Sequence, residues 1–600
     1  MQQDISKEGG PSVIDEKNKN YISNQENVVE SGASQEDYSN SSYPKSGSKW
    51  KDFKDSFKRM DSVDLDPNLT DAQKIAILTS QSPLQRKLKN RHLQMIAIGG
   101  AIGTGLFIGS SKALRTAGPA GILIGWGLMA TMILCMCLSL GEMAVTFPVS
   151  GGYTTYATRF IDESYGFANN INYMMQALVV LPLEIVAASI TVDYWGPKSQ
   201  YRAAFVALFW LCIVSINMFG VKGYGEAEFV FSLIKVVTVI GFIILGVILV
   251  CGGGPTHEYI GSKFWSNPGA FVGDTAGQKF KGICSVFVTA AFSFANTELV
   301  GLAAAETEDP RKSVPKAAKQ VFWRITLFYI LSLLMVGLLV PYTDPRLLGS
   351  SIVDAAASPF VLALKNHGIK GLPSVINVVI LTAVLSVGNS SVFSCSRCLT
   401  ALSEQGFLPN VFGYIDRKGR PLVSIIFSSA FGLLCFLAVS HQVQEIFDWM
   451  LSLSGLSSLF IWLTISLCHI RFRKALSAQN RSIDELAFAS PIGIWGSYYS
   501  VFLIIVVLIL QFWIALFPGH QKPSASNFFK AYLSMPIAVA MYLGHKIYTK
   551  NWKLLIDPKY MDIDTGRREL DIELFKQELL EQNAIMAKKP FIYRVYNFWC

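Results

Sequence analysis

Twelve apolar blocks of about 18–28 residues, set between short polar stretches, constrain this chain more than any other feature. They fall at approximately 95–115, 120–146, 166–190, 203–220, 226–251, 282–304, 320–341, 372–402, 422–440, 447–469, 494–517 and 528–548. A helix needs roughly 20 such residues to cross a hydrocarbon core about 30 Å thick. Lipid offers no partner to a free backbone group, so each crossing segment must satisfy its own hydrogen bonds, which a helix does. A transmembrane barrel would show short strands of alternating polarity instead. The expectation is an all-α integral membrane protein of about twelve spans: a tail over 1–90, a transmembrane domain over 91–548 and a second tail over 549–600. Composition agrees, with 51% hydrophobic and only 16% charged residues, against about 25% charged in ordinary soluble domains.

The first residues lack a basic stretch followed by an apolar one, so no cleaved signal peptide is expected. The ten cysteines show no CxxC pair and no metal-ligand spacing with histidine, which gives no expectation of a metal site. The net charge of +9 is informative by location. Arg86, Lys87, Lys89 and Arg91 precede the first span, Arg311, Lys312 and Lys316 follow the sixth, and Arg471, Arg473 and Lys474 follow the tenth. All lie on one side of the bilayer, which the positive-inside rule makes the cytoplasm, so both termini are expected there. Nucleic-acid binding is excluded as the meaning of this charge.

Residues 1–48 hold too few large apolar groups to fold. KWKDFKDSFKRM reads either as an amphipathic helix lying on the membrane surface or as a basic linker. Asp571–Met586 reads as a short amphipathic helix.

Two spans are interrupted. The first contains GGAIGTGLFIG, and the sixth contains FSFANTELVG, with Asn296, Thr297 and Glu298 in an otherwise apolar stretch. Glycine costs about 1 kcal/mol relative to alanine inside a helix, so clustered glycines favour unwinding. Small residues at this spacing also serve close helix packing. Interruptions that open two successive sets of five spans point to a transporter of inverted repeats, with its substrate site at mid-membrane.

A broken helix presents free N–H groups at one end and free carbonyls at the other, each end carrying about half a charge. Two breaks facing each other suit a zwitterion. Its carboxylate is expected on the amides around Gly103, Thr104 and Gly105, and its ammonium on carbonyls near Phe294 and Ala295. Glu298 is placed to hold the ammonium or to carry a coupled proton. Lys235, with no carboxylate evident nearby, reads either as a buried proton carrier or as a lysine snorkelling to the surface. Ser386 and Asn389 in the eighth span either face the cavity or bond helix to helix. Glu184 is left unassigned, and Glu142, near a helix end, reads as structural. No GxxxxGK[ST] loop is present, so ATP is not expected to drive transport and a proton gradient is the economical source. No nucleophile–base pair suggests an enzyme.

At these residues the chain resembles fungal amino-acid permeases of the amino acid–polyamine–organocation superfamily, most closely the general amino-acid permeases. NRHLQMIAIGGAIGTGL, GGYTTYATRFIDES, INMFGVKGYGEAEFVFSLIKV, MDIDTGRRE and the terminal NFWC carry the resemblance, which covers about residues 48–600. It implies a five-plus-five inverted-repeat core with two added helices, and proton-coupled import of L-amino acids of fairly broad range across the plasma membrane. It places the substrate carboxylate on Gly103–Thr104–Gly105, the amine at the sixth-span break with Glu298, and proton coupling at Lys235. It also implies ubiquitination at tail lysines such as Lys7, Lys17 and Lys19, palmitoylation of Cys600, and tail contacts with ubiquitin-ligase and vesicle-coat machinery during passage through endoplasmic reticulum and endosomes. Asn296, Ile461 and Leu463 depart from the general permeases, which have glycine, threonine and glycine there, and this bears on the breadth of the pocket. A transporter that also signals, or a pure sensor, is the alternative within the family.

Overall fold

The computed structural model describes residues 49–60, 71–100, 102–197, 199–348, 358–439, 443–517 and 524–567, with a few more between 577 and 590. The chain divides into two units, residues 1–57 and 58–600. In the first, Lys49–Asp55 forms a helix, one of the two readings of KWKDFKDSFKRM, with the Lys54 ammonium 5.5 Å from the Trp50 ring centre. Lys7, Lys17, Lys19, Cys600 and most of the expected helix 571–586 lie outside the described residues.

The second unit is all-helical among the described residues, apart from two isolated bridges. Its spans are α1 (90–117), α2 (119–146), α3 (Glu163–Val192), α4 (Arg202–Met218), α5 (Gly220–Val250) and α6 (Ala276–Glu306), then α7 (310–339), α8 (Leu372–Glu404), α9 (422–439), α10 (Val443–Ala478), α11 (Gly493–Leu516) and α12 (525–549). Seven helical stretches among the described residues are long and apolar enough to cross a membrane, and α4, α9 and part of α7 are shorter apolar helices. Each expected block finds its helix, most of them lengthened by polar residues at the ends.

Local chemistry sets the joints. Gly118 (φ 77°) turns the chain between α1 and α2, and Pro119 opens α2, where its missing N–H costs nothing. Asp162 caps α3 by accepting from the Tyr165 amide at 3.1 Å, and it also holds the Lys546 ammonium at 2.9 Å. A short helix, Tyr153–Phe160, follows α2 on the side of the termini. Five spans later another, Pro359–Asn366, follows α7 on the opposite side. The second set of five thus repeats the first turned over, and the broken helices α1 and α6 open the two sets.

Burial sorts the spans. The apolar window of α3 is 89% buried, whereas those of α5 and α11 are 28% buried and leave their outer faces to lipid. Helix α3 is the central post, packed against α8, α10 and α12. The body also extends past both expected tail boundaries. Thr79, Leu84 and Leu88 are buried ahead of α1, because a two-bond bridge ties Leu88 to the chain just after α6. After α12, residues 553–567 form a strap. Arg159 Nε donates to the Asp562 carbonyl at 2.6 Å, Gln479 donates to the carbonyls of Pro558 and Met561, and Met561 and Ile563 are buried.

Candidate functional site

Helix α1 unwinds where the glycines cluster. Its first half ends at Gly99, with Gly100 as cap, and helical structure resumes at Thr104–Gly105. Among the described residues, the first hydrogen bonds of the new half run from the Leu106 and Phe107 amides to the Gly103 carbonyl, which puts the amides of Gly103, Thr104 and Gly105 at the start of that half. The glycines serve both of the roles their spacing allowed. They sit at the break, and a Cβ on Gly105 would come within 2.5 Å of the Ser293 Cα on α6.

Helix α6 breaks at the matching place. Phe287–Phe294 ends, Ala295 is extended, and Asn296 takes a left-handed conformation (φ 68°) before Leu299–Ala303 begins. Left-handed backbone is open to glycine and next most readily to asparagine. Asn296 therefore fills a backbone requirement as well as a place in the wall. The Phe294 carbonyl accepts from the Thr297 hydroxyl at 2.6 Å and the Thr297 amide at 3.3 Å. This turn closes the carbonyl on itself, which an unwound segment read from sequence does not reveal.

The two breaks meet at one small cavity, lined by Gly103, Thr104, Gly105, Val180, Glu184, Phe292, Ala295, Asn296 and Val387. Glu184 of α3 is the acid in this wall and accepts the Thr104 hydroxyl. Its position inside an apolar span was the available sequence signal, but its partner lies 80 residues away.

Glu298 is fully buried and is not part of the cavity lining. Trp462 Nε1 of α10 donates to Glu298 Oε2 at 3.0 Å, and Tyr153 and Tyr173 lie within electrostatic reach. Ile461, one residue before Trp462, is buried away from the cavity, as is the Phe294 side chain, which packs on Tyr329.

Lys235 is fully buried, which excludes snorkelling. Its ammonium donates to the Gly99 carbonyl at 2.7 Å and to Ser386 Oγ at 2.8 Å, and it lies 3.6 Å from Glu228. The expectation that Lys235 has no carboxylate nearby is corrected here. Glu228 supplies one, seven residues earlier on the same face of α5, a spacing that could have revealed it. Ser386 thus belongs to this cluster, donating on to Glu228 at 2.7–2.8 Å, and Asn389 accepts from Asn217 at 2.8 Å; neither lines the cavity. The ammonium sits at the carbonyl end of the first half of α1, where a helix presents partial negative charge. Glu142 ties α2 to α10 through His469 (3.0 Å) and Arg473 (2.6 Å).

The family profile of amino acid permeases matches residues 92–557, across both broken helices and the Lys235 cluster. This chain belongs to the amino acid permease family. The permease is 69% identical to the general amino-acid permease GAP1 of Saccharomyces cerevisiae over 92% of each chain. It is 60% identical to the general amino-acid permease GAP2 of Candida albicans, over 91% of this chain and 93% of that one. The histidine permease of Saccharomyces cerevisiae is 50% identical over 86% of each chain. Family, helical build and the two facing breaks agree on a multi-pass membrane transporter.

Proposed function

We propose that this permease imports amino acids across the plasma membrane by proton symport, with both termini in the cytoplasm and the cavity opening alternately to either side. The observation that carries the reading is the meeting of two helix breaks at one small cavity. A zwitterion satisfies both poles there: its carboxylate takes the amides of Gly103–Thr104–Gly105, and its ammonium takes the Ala295 carbonyl and the Glu184 side of the wall. Glu298, buried behind the cavity wall just past the α6 break, acts on the ammonium through the field of its carboxylate or carries the coupled proton in this reading. Lys235 joins the end of the first α1 half to α8 through Gly99 and Ser386. Loss or gain of its proton would loosen or tighten that joint, which supports its role in coupling. An ammonium between these oxygens also occupies the space a sodium ion would need. Lys7, Lys17, Lys19 and Cys600 are proposed modification sites through which trafficking machinery acts.

Purified permease in vesicles is expected to accumulate a labelled L-amino acid under an imposed inward proton gradient. No accumulation of any member of a panel would refute the transport reading. Glu298→Gln should abolish uptake at undiminished protein level, and full activity would remove Glu298 from the mechanism.

A further inference from the structure

The indole of Trp462 makes a polar contact that the substrate cavity does not require. Trp462 is fully buried and outside the cavity lining, yet its N–H points at Glu298 Oε2, 3.0 Å away. Satisfying a buried indole does not by itself explain this aim, since the fully buried Trp126 indole N–H has no hydrogen-bond partner among the described residues.

The two partners stand on different kinds of support. Around Trp462, α10 is pinned to α3 by side-chain bonds to either side. Ser457 donates to Asn172 at 3.0 Å, Gln176 donates to Ser458 at 2.8 Å, and Thr464 donates to Asn169 at 2.9 Å. Among the seven long apolar stretches of the described residues, α3 has the most buried window, so the indole is carried by a helix tied to a deeply packed neighbour. Glu298, in contrast, caps the five-residue helix Leu299–Ala303, directly after the left-handed turn at Asn296. A donor held by a neighbouring helix helps such a carboxylate keep one rotamer beside the break, as groups behind a functional residue generally do.

We infer that Trp462 is a positioning residue for transport: its indole N–H fixes the Glu298 carboxylate relative to α3 and the α6 break, and so sets the affinity for the substrate ammonium. This rests on the proposed role of Glu298. Ile461, the residue of this helix expected in the pocket, lies one position earlier and is buried away from the cavity.

The test compares Trp462→Phe with replacement of Trp462 by benzothienylalanine, which keeps the two-ring shape and puts sulfur in place of N–H. Uptake of labelled L-alanine is measured in proteoliposomes at matched amounts of folded protein. Both variants should raise KM about tenfold, the cost of a hydrogen bond to a charged group, and leave Vmax within twofold. The benzothienyl variant keeps the test decisive if the Phe variant folds poorly. A KM unchanged in the benzothienyl variant would overturn the inference, and so would a fall in Vmax with KM unchanged, which marks a structural role. Glu298→Gln run alongside separates the two readings. If it keeps parental uptake, the role of Glu298 itself fails; if it loses uptake while the Trp462 variants keep the parental KM, only the positioning role fails.

Discussion

Neutralising one member of the Lys235–Glu228 pair should destabilise the permease far more than neutralising both. The two charges lie 3.6 Å apart with neither exposed. At an effective dielectric of about 20 their attraction is about 5 kcal/mol. Lys235 also donates to the Gly99 carbonyl and Ser386, and Ser386 donates to Glu228, so the four groups form a closed set. Glu228→Gln leaves an ammonium buried without its counter-charge, and Lys235→Met leaves a carboxylate so; each should cost about 3–5 kcal/mol. The double variant buries no net charge, and the amide oxygen that replaces the Glu228 carboxylate can still accept from Ser386. It should cost well under either single variant, so the coupling, which is the two single costs less the cost of the double, should exceed about 3–5 kcal/mol. Unfolding free energies of purified protein, titrated with a denaturing detergent, would provide the cycle. The double variant should fold stably and yet fail to accumulate amino acid under a proton gradient. Additive losses, with the double variant at about 6–10 kcal/mol by the same single-charge cost, would refute the closed set and with it the placement of the lysine between α1 and α8.

Other outcomes follow from single contacts. Gly105→Ala should abolish folding or uptake, because its methyl would meet the α6 backbone at Ser293, whereas Gly103→Ala meets mainly the Val387 side chain and should be partly rescued by Val387→Ala; surface expression and uptake read both. Asn296→Gly should retain the fold, since φ 68° suits glycine, while Asn296→Val should cost about 1–3 kcal/mol through the same angle, as measured by thermal unfolding. Burial pushes the Asp562 carboxyl up, but the Arg159 guanidinium and the amides of Thr565 and Asp564 outweigh it and hold the group below its ordinary 3.8. With the folded value depressed, its contribution to strap stability is present above about pH 4 and lost as pH falls through that lower value. Limited proteolysis after α12 should therefore be slow and unchanged between neutral and mildly acidic pH, and faster in stronger acid. Asp562→Asn should show the faster cleavage already at neutral pH.

Much was legible because lipid makes local sequence decisive. A span must bond its own backbone, so block length alone located the helices, and glycine clusters marked where that bonding gives way. The breaks, Asn296, Glu298 and Lys235 could be picked out because a polar or flexible group inside an apolar run stands apart. Side-chain direction could not. Ser386 and Asn389 were candidates for the cavity, and the twist of α8 aims them at α5 and α4. The tail boundaries at 90 and 549 followed hydropathy, whereas Leu88 and the strap 553–567 belong to the body through backbone bridges and arginine contacts that hydropathy does not register.

By itself, then, the sequence determined a multi-span helical transporter with two broken helices and the pole-bearing backbone that such breaks expose. Periodicity and local propensity act over one helix, and that was enough. Only the tertiary structure decided that the breaks share one cavity, that Glu184 enters its wall beside Thr104, that Glu228 and Ser386 complete the Lys235 set, and that Trp462 holds Glu298. Nearly all of these join groups on separate helices, and the rotation that brings them face to face comes from packing across the whole bundle.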